Sequence, residues 1–505
     1  MPEVSEHLES EVKLGVPAVF ALPPLVPEGT AVVAAVPGPR RSLRAAYLDT
    51  ADLRLARSGA TLRHRTGEGK PTWTLKLPTD VEGERLELSV AASATAMPED
   101  LRALVTAQVR DGELVEVVRL TTRRDTWSLQ DDAGTELAEL VDDLVSVLSA
   151  GKVVARFREL EIERNGISAQ DLAAVVTLLT DAGAVRGAFI SKLARALGPR
   201  AAAPPDVPLA ARVKRSDPAA ALVAEAVRDG VRRLLAQDPR VRLGRDDGIH
   251  QLRVACRRLR SDLATFAPLL APGSAEGLRS ELVWLADRLG TARDLEVLRG
   301  RLGKTFRADR LSPLDSEAFA RLDAVLAARE VDALEVAAAT LTEPRYVALL
   351  TAAVTYAVDP PLTDAAQQPV KAVLPGLVGG VVAELDEAVE RLSLKGSDAR
   401  WHKARIRAKR ARYAAEAASV ALGADATKTG EAMAEVQSVL GDHQDAAIAA
   451  QAVLDIAAEH PGDPALLLLC GRLAERERGA VRDARERFAA AWSGATRGAV
   501  RRWLS

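Results

Sequence analysis

Glu9-Ser10-Glu11-Val12-Lys13 and, far down the chain, Glu159-Leu160-Glu161-Ile162-Glu163 share one pattern: charge at every second position. Period two is the period of a β-strand, which sends residues i and i+2 to the same face of a sheet. Glu9, Glu11 and Lys13 therefore share one face, opposite Val12 and Leu14. Glu159, Glu161 and Glu163 share another, opposite Leu160 and Ile162. The same alternation runs between them, through Arg63 and Arg65, through Thr74-Leu75-Lys76-Leu77, and through Arg85-Leu86-Glu87-Leu88. Turn signals such as Gly67-Glu68-Gly69 and Asp132-Ala133-Gly134 predict an antiparallel meander. A helical stretch, Ser168 to Leu179, closes this half.

For any one strand a solvated face is the ordinary explanation. It weakens over the set, because three glutamates at i, i+2 and i+4 repel one another and water gains nothing from that. A divalent cation reverses the sign. Mg²⁺ and Mn²⁺ take carboxylate oxygens, commonly with substrate phosphates completing the shell. Guanidinium forks bind phosphate oxygens bidentately. Acids and bases on one enclosed face suit a metal–polyphosphate substrate, and the lumen of a closed barrel holds both. His64 lies between two inward arginines and is expected to point outward, so the pattern contains no general-base histidine.

The chain has 505 residues, which predicts about two to four domains. Its hydrophobic content of 48% is enough for buried cores. The 68 Lys+Arg and 70 Asp+Glu leave a net charge of −2, which on its face excludes a polyanion binder working by bulk charge. Aromatic residues at 3% argue against a base-stacking platform, and so against nucleic acid. The two cysteines, Cys256 and Cys470, exclude a disulfide framework and indicate a reducing compartment. The acidic N-terminus lacks the apolar core of a signal peptide, and no apolar run approaches a membrane span. A cytoplasmic protein is expected.

The balanced sum hides two halves. Residues 1–200 hold 24 Lys+Arg and 29 Asp+Glu, whereas the remainder holds 44 and 41. Between them Gly198 to Pro218 is rich in proline and reads as a linker. The second half is Ala-, Leu- and Arg-rich with helical periodicity, and is expected to be all α.

That half writes one motif twice. His250-Gln251-Leu252-Arg253-Val254-Ala255-Cys256-Arg257-Arg258-Leu259-Arg260 is echoed by His402-Lys403-Ala404-Arg405-Ile406-Arg407-Ala408-Lys409-Arg410-Ala411-Arg412. Each begins with histidine and carries a base at i+3, i+7 and i+10, an arc of about 80° on a helix. Neither contains an acid. Downstream, Leu289-Gly290-Thr291-Ala292-Arg293-Asp294 is echoed by Leu440-Gly441-Asp442-His443-Gln444-Asp445. Asp294 and Asp445 are placed to return to a base or to the histidine of their own copy. Solvated helices usually intersperse acids at i+4, so these acid-free faces point to an external anion.

The first half resembles the CYTH family, the triphosphate tunnel metalloenzymes. The resemblance is carried by Glu9-Ser10-Glu11-Val12-Lys13, Tyr47-Leu48-Asp49-Thr50, Leu62-Arg63-His64-Arg65, Thr74-Leu75-Lys76-Leu77-Pro78 and Arg85 with Glu87. It continues through Thr122-Arg123-Arg124, Val141-Asp142-Asp143, Glu159 to Glu163, and Ser191-Lys192. It implies an eight-stranded antiparallel β tunnel in which Glu9, Glu11, Lys13 and Lys76 are catalytic. Mg²⁺ or Mn²⁺ would be held by Glu9, Glu11, Glu159, Glu161, Glu163 and an aspartate, Asp143 or its neighbour Asp142. Lys13, Arg63, Arg65, Lys76, Arg85, Lys192 and one of Arg123 and Arg124 would hold the triphosphate. The implied activity is a metal-dependent triphosphatase, with inorganic triphosphate the leading substrate. Thiamine or nucleoside triphosphates, an adenylate cyclase, and a tunnel that only binds are the alternatives.

The second half resembles the CHAD family, the conserved-histidine α-helical domain, through the two histidine motifs and the two Leu-Gly-x-x-x-Asp elements. The resemblance implies pseudo-twofold helical bundles that bind inorganic polyphosphate through His250, Arg253, Arg257, Arg260, His402, Arg405, Lys409 and Arg412, and a possible place at polyphosphate granules. The expected layout is a tunnel domain at 1–198, a linker at 199–215, and a helical domain at 216–505 whose copies span about 216–340 and 370–505.

Overall fold

The computed structural model describes residues 4–504 except 80, 82–83, 93–95, 187–190 and 310–314. It separates into two units, Met1–Asp206 and Val207–Ser505.

The first unit runs β1 (Ser5–Val16), β2 (Ala34–Pro37), β3 (Arg41–Asp49), α1 (Arg54–Arg57), β4 (Thr61–Thr66), β5 (Thr72–Pro78) and β6 (Glu84–Ala91). It continues with α2 (Glu99–Leu104), α3 (Thr106–Val109), β7 (Val115–Gln130), β8 (Glu136–Ser149), β9 (Lys152–Arg164), α4 (Ala169–Asp181), β10 (Val185–Arg186) and α5 (Lys192–Leu197). Eight strands close into a ring, β1-β6-β5-β4-β3-β7-β8-β9 and back to β1, while β2 and β10 add to its edges on β7 and β1. Every pairing is antiparallel. Closure rests on β1, which pairs with β6 over Ser5 to Ser10 and with β9 over Glu11 to Val16. The ring is the expected eight-stranded antiparallel tunnel.

Alternation sorts the side chains. Outward Leu14, Leu160 and Ile162 are buried under α4, which presents Leu172, Val175, Val176 and Leu179. Ser168 caps α4 by accepting from the Asp171 amide at 3.0 Å, a Ser-x-x-Asp start. A second core joins Ala45 and Tyr47 of β3, Val118 and Leu120 of β7, and Val145 and Val147 of β8 to Leu193 of α5. Leu193 therefore seats α5 in apolar packing while its neighbour Lys192, held behind the capping Ser191, is delivered to the charged lumen.

The second unit is helical: α6 (Ala219–Arg242), α7 (Gly248–Thr265), α8 (Glu276–Arg288), α9 (Gly290–Arg307), α10 (Ser316–Thr340) and α11 (Pro344–Val358). A second series follows, α12 (Val370–Glu390), α13 (Asp398–Leu422), α14 (Ala424–Glu459), α15 (Pro464–Ala495) and α16 (Gly498–Arg501). The two histidine motifs fall on α7 and α13. Both helices bury residues at three- and four-residue steps, Leu252, Ala255, Cys256 and Leu259 on one, Ala404, Ala408 and Ala411 on the other. Cys256 is a packing residue; burial pushes its thiol up to about 12.

The proline-rich stretch is more structured than a free tether. Asp206 pairs with Arg57 at 2.9 Å and with Arg110, and Arg57 donates to the Pro204 carbonyl at 2.7 Å. Beyond the division, Arg232 donates to the Pro208 carbonyl at 2.6 Å, and Val207 and Val213 are buried. Among the described residues no helix is long and apolar enough to cross a membrane.

Candidate active site

The tunnel encloses a chamber of ≈ 240 Å³. Strand β1 contributes His7, Glu9, Glu11 and Lys13, and β4 contributes Thr61, Arg63 and Arg65. Tyr47, Lys76, Arg85, Glu87, Arg124, Glu139, Glu161 and Glu163 come from the other strands, Glu68 from the β4–β5 turn, and Ser191 and Lys192 from the start of α5. Seven carboxylates face seven cations, and Tyr47 is the one large aromatic ring among the lining residues.

The carboxylates divide into two kinds. Glu161, Asp143 and Glu159 are already neutralised. Lys192 Nζ lies 2.7, 3.1 and 3.0 Å from them respectively, Lys13 lies 2.7 Å from Glu161, and Arg124 grips Asp143 bidentately at 2.9 and 2.7 Å. Burial would raise the Glu161 carboxyl, but Lys13, Lys192 and Arg124 hold it well below the ordinary range. Glu87 behaves alike: burial opposes Lys76 and Arg63, which hold it at about 2.

Glu9, Glu11 and Glu163 form the other kind. Each offers an oxygen within 4.8 Å of the others. Burial and then Glu161 push Glu163 up to about 7, with Glu9 and Glu11 adding to the effect. Glu11 is raised for the same reasons, burial first and Glu161 second. Lys76 Nζ sits 2.5 Å from both Glu9 oxygens, an ammonium occupying one side of the trio. Lys13 Nζ lies 3.1 Å from Glu11 as well, and three carboxylate oxygens this close to one another fit a hard divalent cation in place of those ammonium groups.

Position decides the pairs that the sequence left open. Arg124 points into the chamber, whereas Arg123 is exposed on the outside, beside Asp125, Asp142 and Arg158. Arg123 is thus removed from the triphosphate set. Asp142 pairs with Arg158 on the outside at 2.6 Å. Asp143 faces inward but lies fully buried behind Arg124 and Lys192, and Glu159 lies further along beside Arg195. Of the six acids expected to hold metal, only Glu9, Glu11 and Glu163 converge among the described residues; Glu161 serves lysines instead. His64 is outward, packed against Trp73 with ring centroids 5.1 Å apart and the ring planes tilted by 52°. Asp49 is structural: it accepts from the Leu55 and Ala56 amides at 2.9 Å and starts α1. Sequence reasoning missed His7, Glu68 and Glu139. His7 was within reach of the alternation that found Glu9; Glu68 sits in a turn, where alternation says nothing.

The helical unit holds a second site. A cleft of ≈ 720 Å³ between α7 and α13 is floored by α9 and α14. His250, Arg253, Arg257, His402, Arg405, Lys409 and Arg412 all line it. Arg260 does not; Arg258 is there instead, so the two copies meet unequally. Arg293 and Arg301 bring the count to eight Arg and Lys against two acids, Asp294 and Asp445. Those aspartates return to the i+3 arginine of their own copy. Asp294 lies 2.9 Å from Arg253 and Asp445 3.9 Å from Arg405. The Nε atoms of Arg253, Arg257, Arg293 and Arg405 are buried without a hydrogen-bond partner among the described residues. Buried donors left unpaired are costly and mark a place for an acceptor from outside. Burial, Arg405 and Arg257 push Lys409 down to about 7.

A closed tunnel with a carboxylate trio against a basic wall, followed by a helical unit with a cationic cleft, defines a two-domain protein with a charged chamber in one domain and a basic cleft in the other. The CYTH domain model matches residues 8–197 and the CHAD domain model residues 225–454, and the chain belongs to the CYTH–CHAD proteins. It is 32% identical to the uncharacterized protein Rv2226 of Mycobacterium tuberculosis (strain ATCC 25618 / H37Rv), over 97% of this chain and 96% of that one. Among solved structures it is similar to PptA from Streptomyces chartreusis, with 27% identity over 55% of this chain and 100% of that chain and a TM-score of 0.46. It is also similar to the CHAD domain from the plant Ricinus communis, with 23% identity over 59% of this chain and 94% of that chain and a TM-score of 0.42.

Proposed function

We propose that the tunnel hydrolyses inorganic triphosphate with Mg²⁺ or Mn²⁺, and that the helical cleft binds inorganic polyphosphate. One observation carries the first part: the Glu9, Glu11 and Glu163 oxygens, within 4.8 Å of one another, share a ≈ 240 Å³ chamber with seven cationic side chains. The bound cation would be held by that trio and would supply Lewis acidity and an activated water. Lys13, Arg63, Lys76, Arg85, Arg124 and Lys192 grip the phosphate oxygens and offset charge as it develops, while Arg65 stays engaged by Glu68 at 3.1 Å. Lys76, now on Glu9, is placed to pass to a phosphate oxygen when a cation takes its side of the trio. The chamber offers no apolar or stacking platform beyond Tyr47, which favours a triphosphate without a base over a nucleotide.

The test is phosphate release from triphosphate, long-chain polyphosphate, ATP and thiamine triphosphate, each with Mg²⁺ and with Mn²⁺. Glu9→Gln/Glu11→Gln should lower triphosphate turnover by at least about a hundredfold, since both changes remove metal ligands. Absence of metal-dependent turnover on every triphosphate would leave a tunnel that only binds.

For the cleft, the carrying observation is eight basic side chains against two acids, with four guanidinium Nε atoms unpartnered. A linear phosphate chain satisfies such donors without any base edge to read.

A further inference from the structure

The β4–β5 turn sends a carboxylate into the charged chamber. Glu68 stands between Gly67 and Gly69, whose φ angles are 102° and 60°. A Cβ on Gly67 would come within 2.1 Å of the Ser42 carbonyl oxygen, so glycine lets the turn lie directly on the β3 backbone. The turn is pinned there, and Glu68 lines the chamber. Its Oε2 lies 3.1 Å from Arg65 Nη2, and its Oε1 accepts from Arg41 Nη1. Arg63 and Arg124 lie near Arg65, and the Arg63 charge, then burial, holds the Arg65 guanidinium at about 10. Glu139 of β8 faces the same region; burial, then Glu136, raises its carboxyl, and Glu68 adds to that.

We infer that Glu68 is a built-in chain-length stop: its carboxylate occupies, on Arg65 and Arg41, the donors that a further phosphoryl group of a longer polyphosphate would take. Carboxylate and phosphate oxygens compete for the same guanidinium forks. A longer chain running past Arg63 must displace Glu68 from Arg65 and lie beside the Glu68 and Glu139 charges. A triphosphate held by Arg63, Lys76, Arg85 and Lys192 need do neither. The inference deepens the proposed triphosphatase reading and rests on it.

The test compares Glu68→Gln with the unsubstituted chain, both carrying Arg257→Glu and Lys409→Glu so that capture by the helical cleft does not enter the measurement. The readout is kcat/KM for long-chain polyphosphate divided by kcat/KM for triphosphate. Removing one negative charge at contact range in a half-buried site should raise that ratio about tenfold. As an inhibitor of triphosphate hydrolysis, long-chain polyphosphate should gain potency by a similar factor. A turn residue that only supports the fold would change both substrates together and leave the ratio alone, and an unchanged ratio overturns the inference. If the unsubstituted chain turns over neither substrate, the triphosphatase reading fails. The ratio is then read from equilibrium binding of the two polyanions by calorimetry, where no response to Glu68→Gln overturns the inference separately.

Discussion

Replacing Lys409 by arginine should flatten the pH dependence of polyphosphate binding. Lys409 lies one turn after Arg405 on α13 and faces Arg257 across the cleft. Burial, then Arg405 and Arg257, push its ammonium from 10.5 to about 7, with Asp445 opposing weakly. At pH 6 about nine in ten of the free lysines carry a proton, and at pH 8 about one in ten. A phosphate chain favours the charged form, so binding takes up a proton as the pH rises past 7. Affinity should fall about tenfold between pH 6 and pH 8, or ~1.4 kcal/mol. Arginine stays charged throughout. The assay is calorimetric titration with long-chain polyphosphate at fixed ionic strength, in two buffers of different protonation enthalpy. At pH 8 the wild type should take up about 0.9 proton per site more than Lys409→Arg. His250, lowered by burial and by Arg293 and Arg257, titrates in both proteins and cancels in the comparison. Equal pH slopes in the two proteins would refute the reasoning. The same shift has a stability sign. The folded value lies below the unfolded one, so the lysine costs the free protein stability; the cost grows as pH falls from 10.5 and is complete below 7. Lys409→Met should therefore raise the melting temperature of the free protein at pH 6.5 while weakening polyphosphate binding there.

Arg124→Met removes the bidentate partner of the fully buried Asp143 and should cost about 3 kcal/mol, read by denaturant unfolding. Asp143→Asn in the same chain should recover part of it, and Arg123→Met, on the outer face, should change stability by less than about 0.5 kcal/mol. In the cleft, Arg257→Ala should reduce the slope of log affinity against log salt by about 0.7, by the counterion release expected for a flexible polyanion. Arg260→Ala, whose side chain lies off the cleft, should leave that slope unchanged.

Alternation alone places Glu9, Glu11, Lys13, Arg63, Arg65, Lys76 and Arg85 on the inner wall, because strand side chains have no third option. It is silent where two like residues are adjacent. Arg123-Arg124 and Asp142-Asp143 satisfy either parity, and only the register of β7 against β8, Arg124 opposite Asp143, settles both together. Nor does a strand pattern tell a metal ligand from a lysine's partner. Glu161 and Glu163 sit on one face two residues apart, yet one meets Lys13 and Lys192 and the other meets Glu9 and Glu11. In the helical half, the arc drawn from His250 to Arg260 describes direction around one helix and not distance along its axis. Arg260 lies about 15 Å from His250 along α7, and the cleft on that side ends at Arg258.

Strand β1 changes partners between Ser10 and Glu11, from β6 to β9. The three converging carboxylates therefore lie on opposite sides of a seam: Glu9 is registered against Arg85, Glu11 against Glu163. No local segment of chain holds a complete cation site; it exists only once the first and last strands of the ring have met. Such contacts between distant parts of a chain are slow to form, because loop entropy is lost before they reward it. A divalent cation would then act as a latch on the seam, binding only shut barrels and drawing the open–shut equilibrium toward closure. Amide exchange along β1 and β9 would report the latch directly, slowing when the metal is added, even in a chain with no substrate present.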